Sequence, residues 1–400
     1  MLDEFFEMHK EVINNTPQTF KRYLFEDIRW DAQSICITGD RGVGKTTLIC
    51  QDLLNRYPDA GQALYISADH VSVIAKGLVS IAKTFFSYGG KALYIDEVHK
   101  YPNWSIEIKN ILDTYKGRQV IFSASNSIDL HRGKGDLSRR VVYHNLLGLS
   151  FREYLKLTQD IHLERTTLQE LVIQHMSLAF KLDSQPILKY FHDYLKHGYY
   201  PFFTEGKEDY LSKLNNVLEK VLTEDLAVLY NLKQTTIPVM KKILWLISTS
   251  SGWTPNIERL SSNLGVSREL IYNCLNYLKN AGLLNDVNIA SKGNAMVRKP
   301  GKMYLNNSNL LYAINGSLKS ESDIGAIRET FFISQVKSNH KISLHDTADF
   351  VVDDTYIFEV GGRSKGEKQI RNLKDAYLVM DEITIGHGNR IPLFLFGLLY

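Results

Sequence analysis

Residues 39–46 combine glycines, a lysine and a threonine at a spacing that suits a polyphosphate. They fit the pattern G-x-x-x-x-G-K-[ST] without a gap, and an apolar run precedes them. Glycines let backbone N–H groups curl around phosphates, and the start of the following helix adds positive potential. Lys45 would place its charge on the β and γ phosphates, and Thr46 would offer its hydroxyl to Mg²⁺. We therefore predict that the chain binds a nucleoside triphosphate together with Mg²⁺. We interpret this nucleotide as ATP. The expected nucleotide contacts are Gly39, Asp40, Arg41, Gly42, Val43, Gly44, Lys45, Thr46 and Thr47.

Two adjacent carboxylates, Asp96 and Glu97, end the apolar run 92–95. In P-loop enzymes, the first acid after such a strand sits near Mg²⁺, and the next orients a water for in-line attack on the γ-phosphate. We expect this strand to lie beside the strand that precedes the P-loop. Asp96 is then the metal-side acid, with Thr46 as the second metal ligand, and Glu97 is the candidate base. The alternatives are a polar strand end without catalysis and a protein that binds nucleotide without turnover.

Two further candidates for catalysis follow later in the sequence. The apolar run 119–123 is followed by Ser125 and Asn126, either of which could reach the γ-phosphate or the attacking water; the alternative is a common Ser/Asn-rich turn. Arg140, with Arg139, precedes the run 141–146, and such a cation could stabilise transition-state charge on a neighbouring subunit's nucleotide. The alternative is a solvated basic pair. The predicted catalytic residues are therefore Glu97, Asn126 and Arg140.

The elements that must position these residues alternate between strand-like and helix-like patterns. Apolar runs without clean alternation, typical of parallel strands buried on both faces, occupy 34–38, 63–67, 92–95, 119–123 and 141–146. A helix is expected over 47–57, and an amphipathic helix over 104–115. Strand–helix–strand repetition predicts a parallel α/β sheet with right-handed crossovers.

Composition indicates a multidomain globular protein. The chain has 400 residues, 44% of them hydrophobic and 23% charged, with a net charge of +3. Its cysteines, Cys36, Cys50 and Cys274, have no metal-site or disulfide spacing. The acidic N-terminus does not have the pattern of a signal peptide, and the apolar run 391–400 is too short to cross a bilayer. We therefore expect a cytoplasmic protein that does not bind membranes.

Three segments give the chain a resemblance to a known group. They are 96–104, which begins with the two carboxylates, 147–154 and 198–201. With the P-loop, they resemble prokaryotic AAA+-type ATPases that carry a C-terminal domain of unknown function, built from a winged helix and a restriction-endonuclease-like fold. The resemblance implies a sheet order in which the P-loop strand neighbours the polar-ended strand 119–123.

The expected fold class is α/β, an AAA+-like P-loop NTPase core with a helical domain, a winged helix and a small C-terminal α/β nuclease-like domain. The expected boundaries are 1–150 for the core, 151–235 for the helical domain, 236–305 for the winged helix and 306–400 for the nuclease-like domain. Two strands flanking Asp353 and Asp354 are predicted to form a hairpin.

The predicted winged helix offers a candidate DNA-binding surface. Ser267 is a plausible N-cap for a recognition helix over 268–280, whose open face carries Arg268, Tyr272 and Lys279. The wing that follows is basic. Its cations are Lys292, Arg298, Lys299 and Lys302. The alternative is a winged helix that serves as a structural joint or a protein contact.

In the last segment, Asp349, Glu359 and Glu329 are similar to the acids of the PD-(D/E)XK nuclease pattern. The lysine of that pattern belongs two residues after the second acid, where this chain has Gly361; Lys365, in the following segment, is the alternative lysine. Because the charge-stabilising lysine is missing from its strand, we expect a nuclease-like fold without cleavage.

The resulting functional hypothesis is an ATP-hydrolysing ATPase that couples nucleotide state to movement of its C-terminal domains. One alternative is a nucleic-acid-processing protein in which the ATPase gates a nuclease, and another is a non-hydrolysing nucleotide switch. The candidate partners besides ATP are DNA, a protein and further copies of the chain in an oligomer.

Overall fold

The structure is a computed structural model that describes residues 2–59, 61–125, 137, 139–289 and 301–400. The chain divides into two compact units, Met1–Gly148 and Leu149–Tyr400. Within the described residues, we find no helix with the length and hydropathy that a bilayer span requires.

The first unit contains a five-stranded parallel sheet in its described part. Its strands are β1 Ser34–Thr38, β2 Ala63–Ser67, β3 Ala92–Asp96, β4 Gln119–Ser123 and β5 Val142–Asn145. All lie within one residue of the ranges expected from the sequence. Strands β1, β3 and β4 are buried along their whole length. This burial explains their continuous apolar runs, because neither face of such a strand meets water.

The strand order is β2-β3-β4-β1-β5. The P-loop strand β1 therefore neighbours the polar-ended strand β4, with Cys36 opposite Phe122, which confirms the order implied by the family resemblance. The expectation that β3 lies beside β1 is wrong. Strand β4 separates them and pairs with β3 through Ile121 and Tyr94. Strand β1 has no free side for β3, because β5 takes its other edge.

Helices cover both faces of this sheet. They are α1 Asp3–Asn14, α2 Leu24–Asp27, α3 Lys45–Arg56, α4 Val71–Lys76, α5 Leu78–Ser87 and α6 Trp104–Thr114, and a short 3₁₀ helix spans Val98–Lys100. Phe5 of α1, Phe85 of α5 and Ile108 of α6 share one hydrophobic core with Leu93 and Phe122 of the sheet. Helix α3, which follows the P-loop, contacts β1, β3 and β4.

The second unit begins with helices and ends with a mixed sheet. Its helices are α7 Phe151–Gln159, α8 Leu168–Phe180, α9 Ile187–His197, α10 Tyr210–Lys220, α11 Leu226–Tyr230, α12 Thr236–Ser248, α13 Ile257–Leu264, α14 Arg268–Asn280, α15 Ser308–Ser317 and α16 Ile324–Val336. Its strands are β6 Leu284–Val287, β7 Lys302–Leu305, β8 Ile342–Leu344, β9 Phe350–Val352, β10 Tyr356–Gly361, β11 Ala376–Met380 and β12 Arg390–Pro392. Short 3₁₀ helices span Pro201–Glu205, Glu367–Gln369 and Leu393–Leu398, and a π-helical turn spans Val221–Asp225.

Two sheets occur in the described part of this unit. Strands β6 and β7 form an antiparallel pair after α14. The larger sheet has the order β12-β11-β10-β9-β8, in which β9 pairs antiparallel with β8 and β10 while β10, β11 and β12 run parallel. The predicted hairpin is confirmed: Asp353 and Asp354 have φ of 51° and 55°, and the Thr355 N–H donates to the Val352 carbonyl at 3.1 Å. Positive φ at both central residues is typical of tight hairpin turns.

Aromatic side chains join the start and the end of the second unit. Phe151 of α7 packs on Phe191 of α9 at 5.3 Å between ring centroids, and on Phe394 at 6.4 Å. A Cβ at Gly397 would lie 2.4 Å from Phe151 Cβ, so only a glycine allows this approach. The helical segment and the last residues of the chain thus share one core, and the predicted boundaries inside this unit stay predictions.

Candidate nucleotide-binding site

The loop between β1 and α3 has a backbone that only glycine allows at its ends. Gly39 has φ of 153°, and a Cβ there would stand 2.3 Å from the Leu146 carbonyl oxygen. Gly44, with φ of 96°, is the N-cap of α3. L-residues with side chains rarely adopt such positive φ values. The motif glycines therefore serve close approach and loop curvature, and the N-terminus of the 12-residue helix α3 opens at the loop.

Lys45 and Thr46, the first residues of α3, are held on the inner side of this loop. The Lys45 ammonium donates to the carbonyls of Gly39 at 3.1 Å and Asp40 at 3.0 Å, and the side chain is 5% exposed. Thr46 Oγ1 donates to Asp96 Oδ2 at 2.6 Å. Helix α3 thus places a buried cation over the loop and a hydroxyl beside the carboxylate of β3.

Other predicted loop contacts are arranged around these two. Arg41 and Thr47 are half-buried, the second in the first turn of α3, while the Val43 side chain is fully buried. Exposed Gly42 has φ of 87° at the turn of the loop. These positions are consistent with backbone contacts to a phosphate, although contact with a nucleotide stays a prediction for each of them.

Asp96, the last residue of β3, accepts hydrogen bonds from hydroxyl groups of three different elements. Its Oδ2 accepts from Thr46 and from the Tyr65 hydroxyl at 3.1 Å, and its Oδ1 accepts from Ser123 Oγ. Tyr65 and Ser123 were not predicted from the sequence, although the position of Ser123 at the end of β4 was a usable signal. The paired oxygens of Thr46 and Asp96 are hard donors of the kind that Mg²⁺ prefers, so this pair fits the ion.

Glu97 leaves β3 with a left-handed backbone, at φ of 52° and ψ of 39°. Its N–H donates to Ser123 Oγ at 3.0 Å. Its carboxylate lies among three nitrogen atoms: Oε1 is 4.0 Å from Lys45 Nζ, while Oε2 is 3.4 Å from Lys100 Nζ and 3.5 Å from His99 Nε2. The fold therefore brings together Lys45, Asp96 and Glu97, as the sequence predicted. It also places His99 and Lys100 beside Glu97, which the sequence did not predict.

His99 is buried beneath Glu97, with 6% of its side chain exposed. The Ser125 N–H donates to His99 Nδ1 at 3.1 Å. Burial lowers the pKa of His99 to about 3, and the positive charges of Lys45 and Lys100 act in the same direction. The imidazole is therefore neutral over the physiological pH range.

Lys100 is the cationic neighbour of Glu97, and it bridges β2 and β3. Its ammonium donates to Asp69 Oδ2 at 2.7 Å, just beyond the end of β2. Burial opposes its charge, but the hydrogen bond to Asp69 and the charge of Glu97 give a net rise in the pKa of Lys100. Lys100 therefore stays protonated beside the candidate base.

A buried arginine, which the sequence did not reveal, connects the P-loop to the end of the first unit. Arg22 Nη1 donates to the Val43 carbonyl at 2.6 Å, and Nη2 donates to the carbonyls of Leu147 and Gly148 at 2.8 Å each. The side chain is 5% exposed. No local sequence pattern distinguishes Arg22 from a surface arginine, because its partners are backbone groups that lie far away in the chain.

The two remaining catalytic candidates have different outcomes. Asn126 lies outside the described residues. Arg140 lies two residues before β5, and its guanidinium pairs with Asp113 of α6, with Nε at 2.7 Å and Nη2 at 3.0 Å from the two carboxylate oxygens. Its described partner is thus a carboxylate of the first unit, and a role on a neighbouring subunit's nucleotide stays a prediction.

A second polar cluster lies at the β9–β10 hairpin of the second unit. The Asp349 N–H donates to Glu359 Oε2 at 3.1 Å, and the Val360 N–H donates to Asp349 Oδ2 at 2.8 Å. Lys365 Nζ lies 2.5 Å from Oε1 of fully buried Glu359. A Cβ at Gly361 would stand 2.7–2.8 Å from the Lys365 methylenes. Lys365 therefore fills the space over Gly361: the lysine is missing from its strand position, as the sequence showed, and Lys365 reaches the second acid from the following segment.

The third acid of this cluster has partners of its own. Glu329 of α16 accepts hydrogen bonds from the Tyr304 hydroxyl at 2.8 Å and from Ser251 Oγ at 3.0 Å. Burial raises the pKa of Glu329, with a further contribution from the charge of Asp349. Among the described residues, no three His, Cys, Asp or Glu side chains are grouped so as to hold a metal ion. The hairpin thus presents two carboxylates and a lysine.

The predicted recognition helix has its expected cap. Ser267 Oγ accepts from the Leu270 N–H at 3.1 Å at the start of α14, and Tyr272 is 54% exposed. Both cations of this helix have acidic partners: Arg268 lies 3.1 Å from Glu258, and Lys279 lies 2.5 Å from Asp286. Such exposed pairs contribute little energy and do not prevent a cation from changing partner. Of the predicted wing cations, Lys292, Arg298 and Lys299 lie outside the described residues, and Lys302 begins β7.

The parallel sheet, the loop between β1 and α3, and the Thr46–Asp96 pair define the class of P-loop nucleotide-binding proteins. In agreement, residues 31–155 match a family model described as an AAA domain. The first unit is thus a P-loop core that is similar to an AAA domain over most of its length. Residues 188–321 match a second family model, described as a domain of unknown function (DUF8612).

Two relatives come from Methanocaldococcus jannaschii. Uncharacterized protein MJ1637 is 24% identical, with 94% of this chain and 88% of the relative covered. Uncharacterized protein MJ1544 is also 24% identical, with 62% of this chain and 55% of the relative covered. The similarity to the first relative thus extends through both units.

Among solved structures, AMPPCP-bound DnaA from Aquifex aeolicus is 15% identical, with 69% of this chain and 88% of that chain covered and a TM-score of 0.28. PCH-2 of C. elegans is 14% identical, with 44% and 48% covered and a TM-score of 0.24. Scores of this size carry no further conclusion about the present chain.

Proposed function

We propose that this chain is an AAA+-type ATPase that hydrolyses ATP with Glu97 as the general base. The observation that carries the proposal is the convergence of Lys45, the Thr46–Asp96 pair and Glu97 at the carboxyl edge of the parallel sheet. Ligands of open α/β sheets bind at this edge. The arrangement joins a phosphate-binding loop, a metal-ligand pair and a base, which are the parts that phosphoryl transfer to water requires.

The reaction needs one water and one proton acceptor. The water oxygen forms a bond to the γ-phosphorus while the bond from that phosphorus to the bridging oxygen breaks, and the bridging electron pair leaves with ADP. Glu97 accepts a proton from the water, so the products are ADP and inorganic phosphate. Lys45 stabilises charge on the β and γ phosphates. Thr46 and Asp96 would hold Mg²⁺, which neutralises phosphate charge when bound.

Nucleotide state would reach the second unit through Arg22. Its guanidinium bonds to the P-loop at Val43 and to Leu147 and Gly148, the last two residues of the first unit. A shift of the P-loop backbone would therefore change the bonds that hold the chain where the second unit begins. This link supports the proposal that ATP binding and hydrolysis move the C-terminal part of the chain.

Substitution of Glu97 by glutamine tests the hydrolytic function. The change keeps the shape of the side chain but removes its basicity, so we expect Mg²⁺-dependent ATP binding to persist while phosphate release falls at least about tenfold. Binding is measured with a fluorescent ATP analogue and turnover by phosphate release. A glutamine variant that turns over at the parent rate would contradict Glu97 as the base. A parent protein that binds ATP without releasing phosphate would support the non-hydrolysing switch instead.

A second candidate function is a metal-dependent nuclease activity of the hairpin cluster in the second unit. The specific observation in its favour is Lys365, which lies over Gly361 and pairs with Glu359. A lysine in that place can stabilise charge on a phosphodiester transition state, whereas Asp349 and Glu359 would hold the metal. This candidate reverses the expectation from the sequence, which rested on the missing lysine.

Incubation with linear, circular and single-stranded DNA, with Mg²⁺ or Mn²⁺ and with or without ATP, tests this candidate. Cleavage that disappears in both Asp349→Ala and Lys365→Ala would support it. The control is Lys341→Ala, which removes an exposed lysine that pairs with Asp354 at the tip of the same hairpin. Absence of cleavage by the parent protein under all these conditions would leave the domain as a nuclease-like fold without cleavage.

A further inference from the structure

We propose that His99 is a positioning residue that holds one carboxylate oxygen of Glu97, so that the other oxygen faces the attacking water. The inference rests on the proposed ATPase function and extends it to a residue outside the P-loop and the two carboxylates. His99 would act through Glu97 alone, without touching the nucleotide.

The hydrogen bond at one side of the imidazole fixes the proton at the other side. The Ser125 N–H donates to Nδ1, so Nδ1 carries a lone pair and the proton of the neutral ring sits on Nε2. Nε2 is fully buried and has no hydrogen-bond partner among the residues that the structure describes. A buried donor without a partner costs free energy, and it therefore favours any conformer that supplies an acceptor.

Glu97 is the acceptor within reach of this donor. Its Oε2 lies 3.5 Å from Nε2, just beyond hydrogen-bond distance, and its side chain is 20% exposed. A small rotation of the carboxylate closes the gap. With Oε2 held by the Nε2–H, Oε1, which is the oxygen nearer to Lys45, is left to accept the proton of a water.

The other two neighbours of Glu97 are less suited to this role. Lys45 and Lys100 carry ammonium groups on flexible stems, each with three rotatable donors, so they direct a carboxylate oxygen less than a single imidazole N–H does. Lys100 lies 3.4 Å from Glu97 Oε2 and bonds to Asp69 at the shorter distance of 2.7 Å, so its ammonium is shared between two carboxylates. Neutral His99 donates a directed hydrogen bond and adds no charge. His99 can therefore orient the carboxylate without adding a positive charge beside it.

His99 also joins Glu97 to the end of β4. Ser123 Oγ accepts from the Glu97 N–H, and two residues later the Ser125 N–H donates to His99. The segment 123–125 therefore contacts the Glu97 backbone directly and its carboxylate through His99. A displacement of the end of β4 would move the backbone and the carboxylate of Glu97 together.

Two substitutions separate positioning from a packing role. His99→Gln offers an amide oxygen that can accept from Ser125 and an amide group that can donate to Glu97, whereas His99→Leu fills similar space without either group. We expect His99→Leu to lower kcat about tenfold to a hundredfold with KM changed less than about twofold, because misplacement of a catalytic group has this size of effect. We expect His99→Gln to stay within about threefold of the parent kcat. His162→Leu, at a 64% exposed histidine of the second unit, is the control and should match the parent.

The same substitutions in a Glu97→Gln background complete the test. If His99 acts through Glu97, the double variant Glu97→Gln/His99→Leu should be no slower than Glu97→Gln alone. Independent, multiplicative losses would overturn the inference while leaving the ATPase proposal intact, and so would equal losses for His99→Gln and His99→Leu. Undiminished turnover of Glu97→Gln itself would overturn the proposed base and this inference with it. The fluorescent ATP analogue must bind to each variant as it does to the parent, because loss of binding in His99→Leu would point to a structural role and overturn the inference.

Discussion

At Glu97 the backbone takes a left-handed conformation that residues with side chains adopt infrequently. The Ser123 hydroxyl accepts from its N–H, and its own carbonyl accepts from the Lys100 N–H at 3.0 Å. Such strain persists only where surrounding contacts compensate for it, and it concentrates at functional sites. After this turn the carboxylate lies 3.4 Å from Lys100 Nζ and 4.0 Å from Lys45 Nζ. The left-handed turn thus gives Glu97 surroundings that differ from those of Asp96, the neighbouring acid to which we assign a different proposed role.

Substitution of Lys45 tests the assignment of the P-loop directly. Its ammonium is held over the loop carbonyls of Gly39 and Asp40, and alanine at this position removes the charge opposite the β and γ phosphates. We expect Lys45→Ala to abolish nucleotide binding or turnover, measured by equilibrium binding and phosphate release. Lys91→Ala, at an exposed lysine whose described contact is the Gln62 side chain, serves as the control. Unchanged turnover in Lys45→Ala would refute the P-loop assignment.

At the scale of elements, the geometry depends on connections between chain segments distant in sequence. Arg22 lies before the P-loop, yet its guanidinium bonds to the loop and to residues beyond β5. Similarly, Ser123 of β4 bonds to Asp96 and Glu97 at the end of β3. These bonds fix the loop and both acids relative to the sheet, which is the preorganisation that transition-state stabilisation requires.

Removal of the Arg22 guanidinium should therefore affect stability and binding together. In Arg22→Met, the buried carbonyls of Val43 and Gly148 and the partly buried carbonyl of Leu147 lose charged donors, and we expect a loss of about 3 kcal/mol in the unfolding free energy of the first unit. ATP affinity should also fall, because the P-loop loses its brace. Arg29→Met, at a side chain that is 88% exposed, should change stability by less than about 0.5 kcal/mol. Equal effects of the two substitutions would contradict the proposed role of Arg22.

The predicted wing between β6 and β7 is a candidate surface for binding nucleic acid. If it binds nucleic acid, neutralising Lys292, Arg298, Lys299 and Lys302 should weaken DNA binding and flatten its salt dependence, because fewer counterions are released. Fluorescence anisotropy over a salt series measures both quantities. A charge-matched control neutralises exposed lysines elsewhere in the second unit, at Lys207, Lys213, Lys241 and Lys319. A parent protein with no salt-dependent binding to DNA or RNA would favour the wing as a structural joint.

At the scale of the whole molecule, a nucleotide-binding unit is followed by a larger unit that carries the β9–β10 hairpin cluster and the α12–α14 helices. In the proposed function, the nucleotide state of the first unit is coupled to movement of the second unit. Residues 147–148 stand at the division, and Arg22 holds both of their carbonyls. The proposed coupling would therefore begin within the first unit, where Arg22 joins the P-loop to residues 147–148.

Hydrogen exchange should report this coupling. In Glu97→Gln, which we expect to bind ATP without turning it over, ATP should change amide exchange at residues 147–155 relative to ADP, as well as in the P-loop. Arg22→Met, measured at saturating ATP, should keep the P-loop change and lose the change at residues 147–155. A nucleotide effect confined to the first unit in both variants would contradict the coupling.

Features that depend on a local pattern of residues were predictable before the fold was known. The P-loop follows from glycine freedom and helix start within eight residues, and the strands follow from apolar runs that are buried on both faces. The same holds for the hairpin at Asp353 and for the Ser267 cap, because each is stabilised by groups within three residues. The acids Asp96 and Glu97 were identifiable because a strand end fixes their place.

Contacts between groups that are distant in the chain were not predictable, because they depend on how the elements pack. The insertion of β4 between β1 and β3 brings Ser123 to Asp96, and no residue pattern within β3 encodes its neighbour. Arg22, His99 and Lys365 were missed or misjudged for the same reason. Each is a polar side chain whose role depends on burial and on a partner that the fold supplies, such as the Glu359 carboxylate beside Lys365. A periodic pattern records which face of an element is apolar, whereas the identity of a hydrogen-bond partner is settled only when elements pack.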